Sequence, residues 1–590
     1  MDTIPAKVLK NGDSMPGRPA YYVKEGGHWQ ATSWRHYAGE VKTAAKAMMA
    51  LGVETGDAVN ILGFNRPEWV ISDVAAMAIG AVPAGIYTTN APEECQYIIG
   101  HSEAPVVVLE DEGQWHKVAQ VRDELPNLRN VVMMRGAPEI DDPMVLSWDD
   151  FMKKGEDVSE EAFQARLDAV DMEDLATLIY TSGTTGPPKG VMLSHKNIAW
   201  TAAQISPVFD INADDRVLSY LPLSHIAEQS FTIHSAANNG HPVYYAESLD
   251  PAVLVENIKE VKPTVFFGVP RIWERMHARV SGELAKATGA KAKIAEWALG
   301  VGRKVSALRN RGEEPSGLLA AQHKVADALV FSKVQSAMGL DEARVRVSGA
   351  APVSAEILDF FASLDMIIWE VYGQSEDSGP TSFNVPGRTK FGSVGPPYPN
   401  VEVQIADDGE ILVRGDNVFM GYYKDEEATN ETLVDGWLHS GDLGEFDADG
   451  MLWITGRKKD IIITAGGKNV APKPLESGLK NNPLIGEAVI IGDRRKFLSA
   501  VVSVDEAEFT AFQERVGDAS PAHESEALRK EIQSTVDELN TKFARVEQIK
   551  KFAILPRPLS IEGGELTPTL KVKRNKVSEH FADVIEEMYV

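Results

Sequence analysis

Short apolar runs alternate with amphipathic stretches through the first 270 residues. Ala58–Leu62, Val106–Leu109 and the runs at 131–134, 216–221 and 264–268 have strand length and few polar interruptions. The stretches at 33–51, 67–79 and 197–204 repeat apolar residues at helical spacing. This alternation predicts an α/β architecture with largely parallel sheets. Residues 175–180 (LATLIY) and 191–194 read as two further strands, on either side of a polar loop.

The pattern then changes. Residues 275–345 are rich in Ala, Lys and Arg with helical periodicity, broken only near 312–317. They read as a helical insertion. From 401 to 423, short β-like runs separated by Gly and Asp predict a small antiparallel or barrel element. The charged string at 456–460 (GRKKD) precedes a new apolar run, so a domain boundary is expected there. That divides the chain into 1–457 and 458–590. The second part mixes short strands, 487–491 and 499–504, with acidic helices over 505–543.

Composition narrows the class. A chain of 590 residues exceeds what one core supports. Apolar content of 44% and charged content of 25% are those of a globular protein. The formal net charge of −27 excludes general nucleic-acid binding and opposes anionic ligands at long range. An anion site must then be built locally. The one cysteine, Cys95, rules out an intrachain disulfide and fits a reducing cytoplasm. The first residues lack the apolar core of a signal peptide, and the apolar run 74–86 is too short and Gly/Pro-broken to span a bilayer. Against the acidic background, seven basic residues and one acidic one lie between Lys286 and Arg311. This reads either as a solvated helical hairpin or as a contact for an anionic membrane surface or ligand phosphates.

The most informative string is 179–195, IYTSGTTGPPKGVMLSH. The hydroxyls of Thr181, Ser182, Thr184 and Thr185, with unhindered backbone N–H groups at Gly183 and Gly186, suit a polyphosphate. Lys189 adds a point charge, and two prolines stiffen the turn. A Walker A loop would need Gly-Lys-Ser/Thr opening a helix, whereas here a strand follows.

This loop resembles the phosphate loop of the adenylate-forming superfamily, which includes acyl-CoA synthetases, luciferase and adenylation domains. Four more segments, the first made of two strings, match that superfamily in order. In SGAAP and VYGQSE the resemblance implies an adenine site of Gly349, Ala350, Ala351 and Tyr372, continued by Gly373, Gln374 and Ser375. Ser375 stands where most relatives have Thr. Glu376 is implied as the Mg²⁺ carboxylate, with Thr181 as a second oxygen ligand. In GWLHSGDLG the resemblance makes Asp442 the ribose acceptor. In TGRKKDIIITAGGK, Arg457 is a second ribose contact, Lys459 the hinge, and Gly467 part of a loop facing the pantetheine of coenzyme A. In LTPTLKVKRN, Lys571 takes the place of the lysine that reaches the carboxylate and α-phosphate, with Lys573 the competing register.

The resemblance implies a large N-terminal domain of two α/β-layered sheets plus a small β-barrel, and a mobile α+β C-terminal domain. It implies two half-reactions: a carboxylate and ATP give an acyl-adenylate, and a thiol then displaces AMP. Glu376, Lys571 and Lys189 would stabilise the charge. The acyl group would lie against 221–228 and 264–270, with His225 either beside the carboxylate or a satisfied core histidine. The helical insertion and LPLSHIAEQ are most similar to long-chain fatty acyl-CoA synthetases, including the bubblegum type. Fatty acid, ATP and coenzyme A are the expected partners. A carrier protein is the alternative acceptor, and medium-chain or aryl acids are alternative substrates. A cytoplasmic location is expected, peripheral at the membrane if the basic segment binds lipid; the oligomeric state stays open.

Overall fold

The computed structural model describes residues 1–181, 187–567 and 570–590. Two eight-stranded sheets form the body. The first runs Gly421–Tyr422, Lys189–Ser194, Leu175–Thr181, Val82–Ile86, Ala58–Leu62, Val106–Leu109, Asn130–Met133, Val145–Leu146. It is parallel from Leu175–Thr181 onward and antiparallel at the other edge. The second runs Ser382–Phe383, Trp369–Tyr372, Val345–Ser348, Val265–Gly268, Val217–Ser219, Val243–Tyr245, Pro19–Glu25, His28–Ser33. Its six inner strands are parallel, and both edges are antiparallel.

The apolar runs explain these positions. Every residue of Ala58–Leu62 is buried, as expected of a strand covered on both faces. Its one polar member, Asn60, donates to the Ala84 carbonyl at 3.2 Å and accepts from Ser102 at 2.9 Å. Helix Pro67–Ala78 is buried all round, so it has no polar face. Glu68 in that helix is neutralised by Arg66 and Arg135, at 2.7 and 3.2 Å.

Several elements differ from the sequence expectation. The run at 216–221 pairs only over Val217–Ser219. The helix expected at 197–204 spans His195–Phe209 and continues through Pro207. It starts at a reciprocal cap in which Asn197 N donates to Ser194 Oγ (3.1 Å) and Ser194 N donates to Asn197 Oδ1 (2.8 Å). The region 401–423 is split. Glu402–Ile405 and Glu410–Arg414 join a five-stranded antiparallel sheet with Leu433–Val434, Trp437–Phe446 and Leu452–Arg457. Gly421–Tyr422 instead pairs with Val191 and Met192 on the edge of the first sheet.

The insertion is helical: Pro270–Ala285, Gly289–Arg309, Gly317–Ala326 and Ser332–Met338. Gly302 is where Gly289–Arg309 crosses helix Ala355–Ser363, because a Cβ there would overlap the Ser363 carbonyl.

Residues beyond 461 build their own cores, around Leu475, Val502 and Ile532 and around Val501, Val577 and Ile585. The acidic stretch 505–543 forms helices as expected, Glu506–Val516 and Glu526–Asn540. Ion pairs join this part to the body: Arg271 with Asp505, and Lys542 with Glu356 at 2.9 Å.

Candidate active site

The parallel strands of the second sheet end on one side of the molecule, and the motif residues follow those ends. Gly349, Ala350 and Ala351 follow Val345–Ser348. Gly349 packs so tightly that an added Cβ would lie 2.5 Å from Val371 Cγ1, which presses this loop against strand Trp369–Tyr372. Ala350 adopts φ of 69°, the left-handed region that a side chain disfavours. Held strain of this kind gathers at ligand sites.

Gly373 follows Tyr372 and has no room for a side chain, because a Cβ would overlap the Gly379 carbonyl. The turn is closed by Asp377, which accepts from Gln374 N at 2.8 Å and from Thr381 Oγ1. Burial raises the Asp377 carboxyl to about 8, so it sits neutral inside the turn. Two buried polar atoms here, Ser348 Oγ and Gln374 Nε2, have no hydrogen-bond partner among the described residues. Buried polar groups left without partners in this way fit a site for a polar ligand.

Asp442 lies in strand Trp437–Phe446, directly opposite Arg457 in the ladder. Arg457 Nε is 3.3 Å from Asp442 Oδ1, and the Tyr372 hydroxyl donates to Asp442 Oδ2 at 2.8 Å. Burial raises the Asp442 pKa, while Arg457 and Tyr372 oppose that shift. Glu376 Oε1 accepts from the Tyr422 hydroxyl at 2.8 Å. Lys189 lies 4.7 Å from the Tyr422 ring centre and 3.7 Å from Asp425, and Thr181 Oγ1 donates to the Lys189 carbonyl at 3.5 Å. Tyr422 thus links the base of the phosphate loop to Glu376.

Lys571 comes from the C-terminal part. Its segment folds back through Lys571 N to Thr567 Oγ1 (3.0 Å) and an isolated bridge between Leu566 and Val572. The segment is therefore not a strand carrying Lys571 and Lys573 on one face; Lys573 precedes helix Arg574–His580. Lys571 is exposed as a residue, while protein crowds around its ammonium group. Desolvation lowers its pKa first and Arg457 lowers it further; Asp442 and Glu376 pull the other way. His225 also feels Lys571. Desolvation, then that cation, pushes its imidazole to about 4, so it is neutral. His225 Nδ1 accepts from Ala227 N at 3.1 Å, which leaves the proton on Nε2.

Glu376, Tyr372, Asp442, Arg457, Lys571 and His225 therefore belong to one electrostatic neighbourhood. Lys459 is exposed in the short turn Lys458–Asp460, and Gly467 sits at φ of 72° in the hairpin between Ile462–Ile463 and Asn469–Val470. Ser375 is buried at the start of the turn 375–377. Ser182, Gly183, Thr184 and Thr185 lie outside the described residues. Tyr422, Asp377 and Asp425 were not singled out from sequence. Tyr422 carries no motif, and only its pairing with Val191 brings it to the phosphate loop.

Residues that follow the strand ends of the body, Tyr372, Glu376 and Asp442 with Arg457, thus meet Lys571 from the C-terminal part, and the class of protein is given by the families that the two parts match. Residues 9–423 match the AMP-binding enzyme family, and residues 459–590 match the C-terminal domain of AMP-binding enzymes. The chain belongs to this family. It is 38% identical over 616 residues to long-chain-fatty-acid–CoA ligase ACSBG2 of Xenopus laevis, covering 99% of this chain and 82% of that protein. It is 38% identical over 594 residues to long-chain-fatty-acid–CoA ligase ACSBG1 of Homo sapiens, covering 95% of this chain and 82% of that one. Among solved structures, the adenylation domain of a carboxylate reductase from Mycobacterium chelonae is similar in fold, with a TM-score of 0.78 and 22% identity over 100% of this chain and 91% of that one.

Proposed function

We propose that this protein joins a long-chain fatty acid to coenzyme A through an acyl-adenylate. The carrying observation is the placement of Lys571 among Glu376, Asp442, Arg457 and His225. Relatives named long-chain-fatty-acid–CoA ligases that align with nearly the whole chain support the substrate class.

In the first step a carboxylate oxygen bonds to the α-phosphorus of ATP, and pyrophosphate leaves with the electrons of the broken P–O bond. Two anions must approach each other. Lys571 offsets their repulsion and stabilises the charge that grows on the α-phosphoryl group. Asp442 accepts from the ribose hydroxyls, Arg457 holds Asp442, and Tyr372 with the 349–351 loop encloses the base. Neutral His225 offers Nε2–H to the carboxylate. In the second step the thiol sulfur of coenzyme A, having lost its proton, bonds to the acyl carbon, and AMP departs.

A Mg²⁺ ion fits the donor set. Glu376 presents a carboxylate with one oxygen held by Tyr422, and Thr181 presents a hydroxyl at the base of the phosphate loop, both hard oxygen ligands. No group of three or more His, Cys, Asp or Glu side chains among the described residues could hold a metal alone. The ion would therefore share its coordination with the nucleotide phosphates, whose charge it would neutralise when bound. We place the hinge between the two parts at Lys459 and the domain limits at 1–457 and 458–590.

A peripheral membrane contact accompanies this reading. Ile294, Trp297, Leu318, Val325 and Leu329 on the insertion are exposed, and Lys291 and Lys293 flank the first two. Exposed apolar side chains beside cations suit an anionic bilayer. No helix of the described residues is long and apolar enough to cross a membrane. Cosedimentation with phosphatidylserine vesicles should weaken when Lys291 and Lys293 become Glu.

The decisive experiment follows pyrophosphate release across fatty acids from two to about twenty carbons and several aryl acids, with coenzyme A and a holo carrier protein compared as acceptors. Long-chain acids with transfer to coenzyme A are expected. Release of ADP, or preference for an aryl acid, would overturn the reading.

A further inference from the structure

A cavity of about 460 Å³ opens among residues of the helical insertion and the second sheet. Arg344 and Ile367 lie just before strands Val345–Ser348 and Trp369–Tyr372, whereas the nucleotide residues follow those strands. The cavity is therefore at the end of the sheet remote from the active site. Its size lies within the range of small-molecule sites.

Three arginines line it: Arg309, Arg344 and Arg346. Two are already matched. Arg344 Nε is 3.1 Å from Asp215 Oδ1, and Arg344 also donates to the Asp210 carbonyl at 2.7 Å. Arg309 donates to Asp365 Oδ1 at 2.6 Å and to Glu314 Oε2 at 3.2 Å. The other oxygen of Asp365 is taken by His323 Nε2 at 2.9 Å.

Arg346 is left over. It is only 9% exposed, its Nε has no hydrogen-bond partner, and no carboxylate stands at ion-pair distance among the described residues. Burial lowers its pKa to about 10, against the pull of Asp365, so it stays charged near neutrality. A buried, unmatched guanidinium is costly, and a bound anion removes that cost.

We propose that this cavity binds a monocarboxylate with an apolar body, its head group on Arg346. The head-group assignment follows from pairing. Arg309 holds both Asp365 and Glu314 and Arg344 holds Asp215, so the summed charge already balances. Arg346 is the one arginine of the three without a carboxylate at ion-pair distance among the described residues; a monoanion gives it a partner with less added buried charge than a phosphate dianion. A guanidinium fork also matches a carboxylate in two parallel hydrogen bonds. The body is accommodated by Ile367, Trp369 and Pro386 on the cavity wall. The two strands that carry Arg346 and Trp369 lead directly to Gly349 and Tyr372, so an occupant bears on the elements that hold the nucleotide loops.

The test uses full-length enzyme saturated with a non-hydrolysable acyl-sulfamoyl adenosine, which keeps both the acyl and the nucleotide positions filled. Octanoate, octanol and inorganic phosphate are titrated calorimetrically at constant ionic strength. Octanoate should fill one saturable site and octanol none. Arg346→Met should weaken octanoate at least tenfold, Arg346→Lys less, with pyrophosphate release in the unblocked variant retained. Arg346→Met should melt at or above the wild type, since it removes an unpaired buried charge. Unchanged octanoate affinity in Arg346→Met, no saturable octanoate binding, tighter binding of phosphate, or a variant that melts far below the wild type would each overturn the proposal. The octanoate titrations and the melting comparison test the cavity separately from pyrophosphate release, which tests the proposed ligase reaction.

Discussion

Arg457 and Asp442 face each other across one rung of an antiparallel ladder, Nε 3.3 Å from Oδ1, and Tyr372 holds the second carboxylate oxygen at 2.8 Å. The carboxylate is thus aimed before any ligand arrives. Its two neighbours also offset the burial that would otherwise favour its neutral form. Asp442→Ala should raise the KM for ATP at least tenfold, and Arg457→Ala should do so less. The double variant should lose less than the sum of the two, because Arg457 acts largely through Asp442. Strict additivity in an ATP titration would show that the two act separately.

Lys571 is surrounded by the groups that would hold the reacting atoms. Lys571→Ala should slow acyl-adenylate formation by roughly 10²-fold or more, as for the loss of one preorganised donor. Thioester formation from supplied acyl-adenylate should suffer far less. Because desolvation and Arg457 lower the Lys571 pKa, the first half-reaction should decline on the alkaline side at a pH below that typical of a free lysine. Pyrophosphate release against pH, with the thioester step measured in parallel, checks both. Equal losses in the two half-reactions would sink the assignment.

Tyr422 orients Glu376 through its hydroxyl and sits under the Lys189 ammonium. Tyr422→Phe keeps the ring and removes only the donor to Glu376. The loss of one charge-assisted hydrogen bond is worth about 1.5–3 kcal/mol, so the Mg²⁺ requirement should move to higher concentration by about tenfold or more. Activity at saturating Mg²⁺ should largely recover. A Mg²⁺ dependence identical to wild type would remove Tyr422 from the site.

Asp73 in helix Pro67–Ala78 is buried, and both its carboxylate oxygens lack a partner among the described residues. Burial alone raises its pKa to about 8. A raised folded-state value means the fold favours the protonated form. The stability that this form supplies is complete below the unfolded-state value near 4 and is lost as pH rises through about 8. Asp73→Asn carries no such loss. Its melting temperature relative to wild type should therefore climb between pH 5 and pH 8 and then level off. A constant difference across that range would contradict a neutral Asp73.

The order of motifs and the alternation of apolar runs were enough to expect an α/β body, a helical insertion and the site residues from Thr181 to Lys571. Those features are local: a strand needs its apolar run, and a tight turn needs its glycine, as at Gly373. Other features were settled only by packing across long sequence separations. Tyr422 reaches Glu376 because strand Gly421–Tyr422 leaves the region 401–423 and pairs with Val191 and Met192. Arg346 is left unmatched because Arg309 and His323 divide the oxygens of Asp365 between them, while Asp215 serves Arg344. A chain read one residue at a time records which groups are charged. Which charges end up sharing a partner, and which go without, depends on distances between segments that hundreds of residues separate.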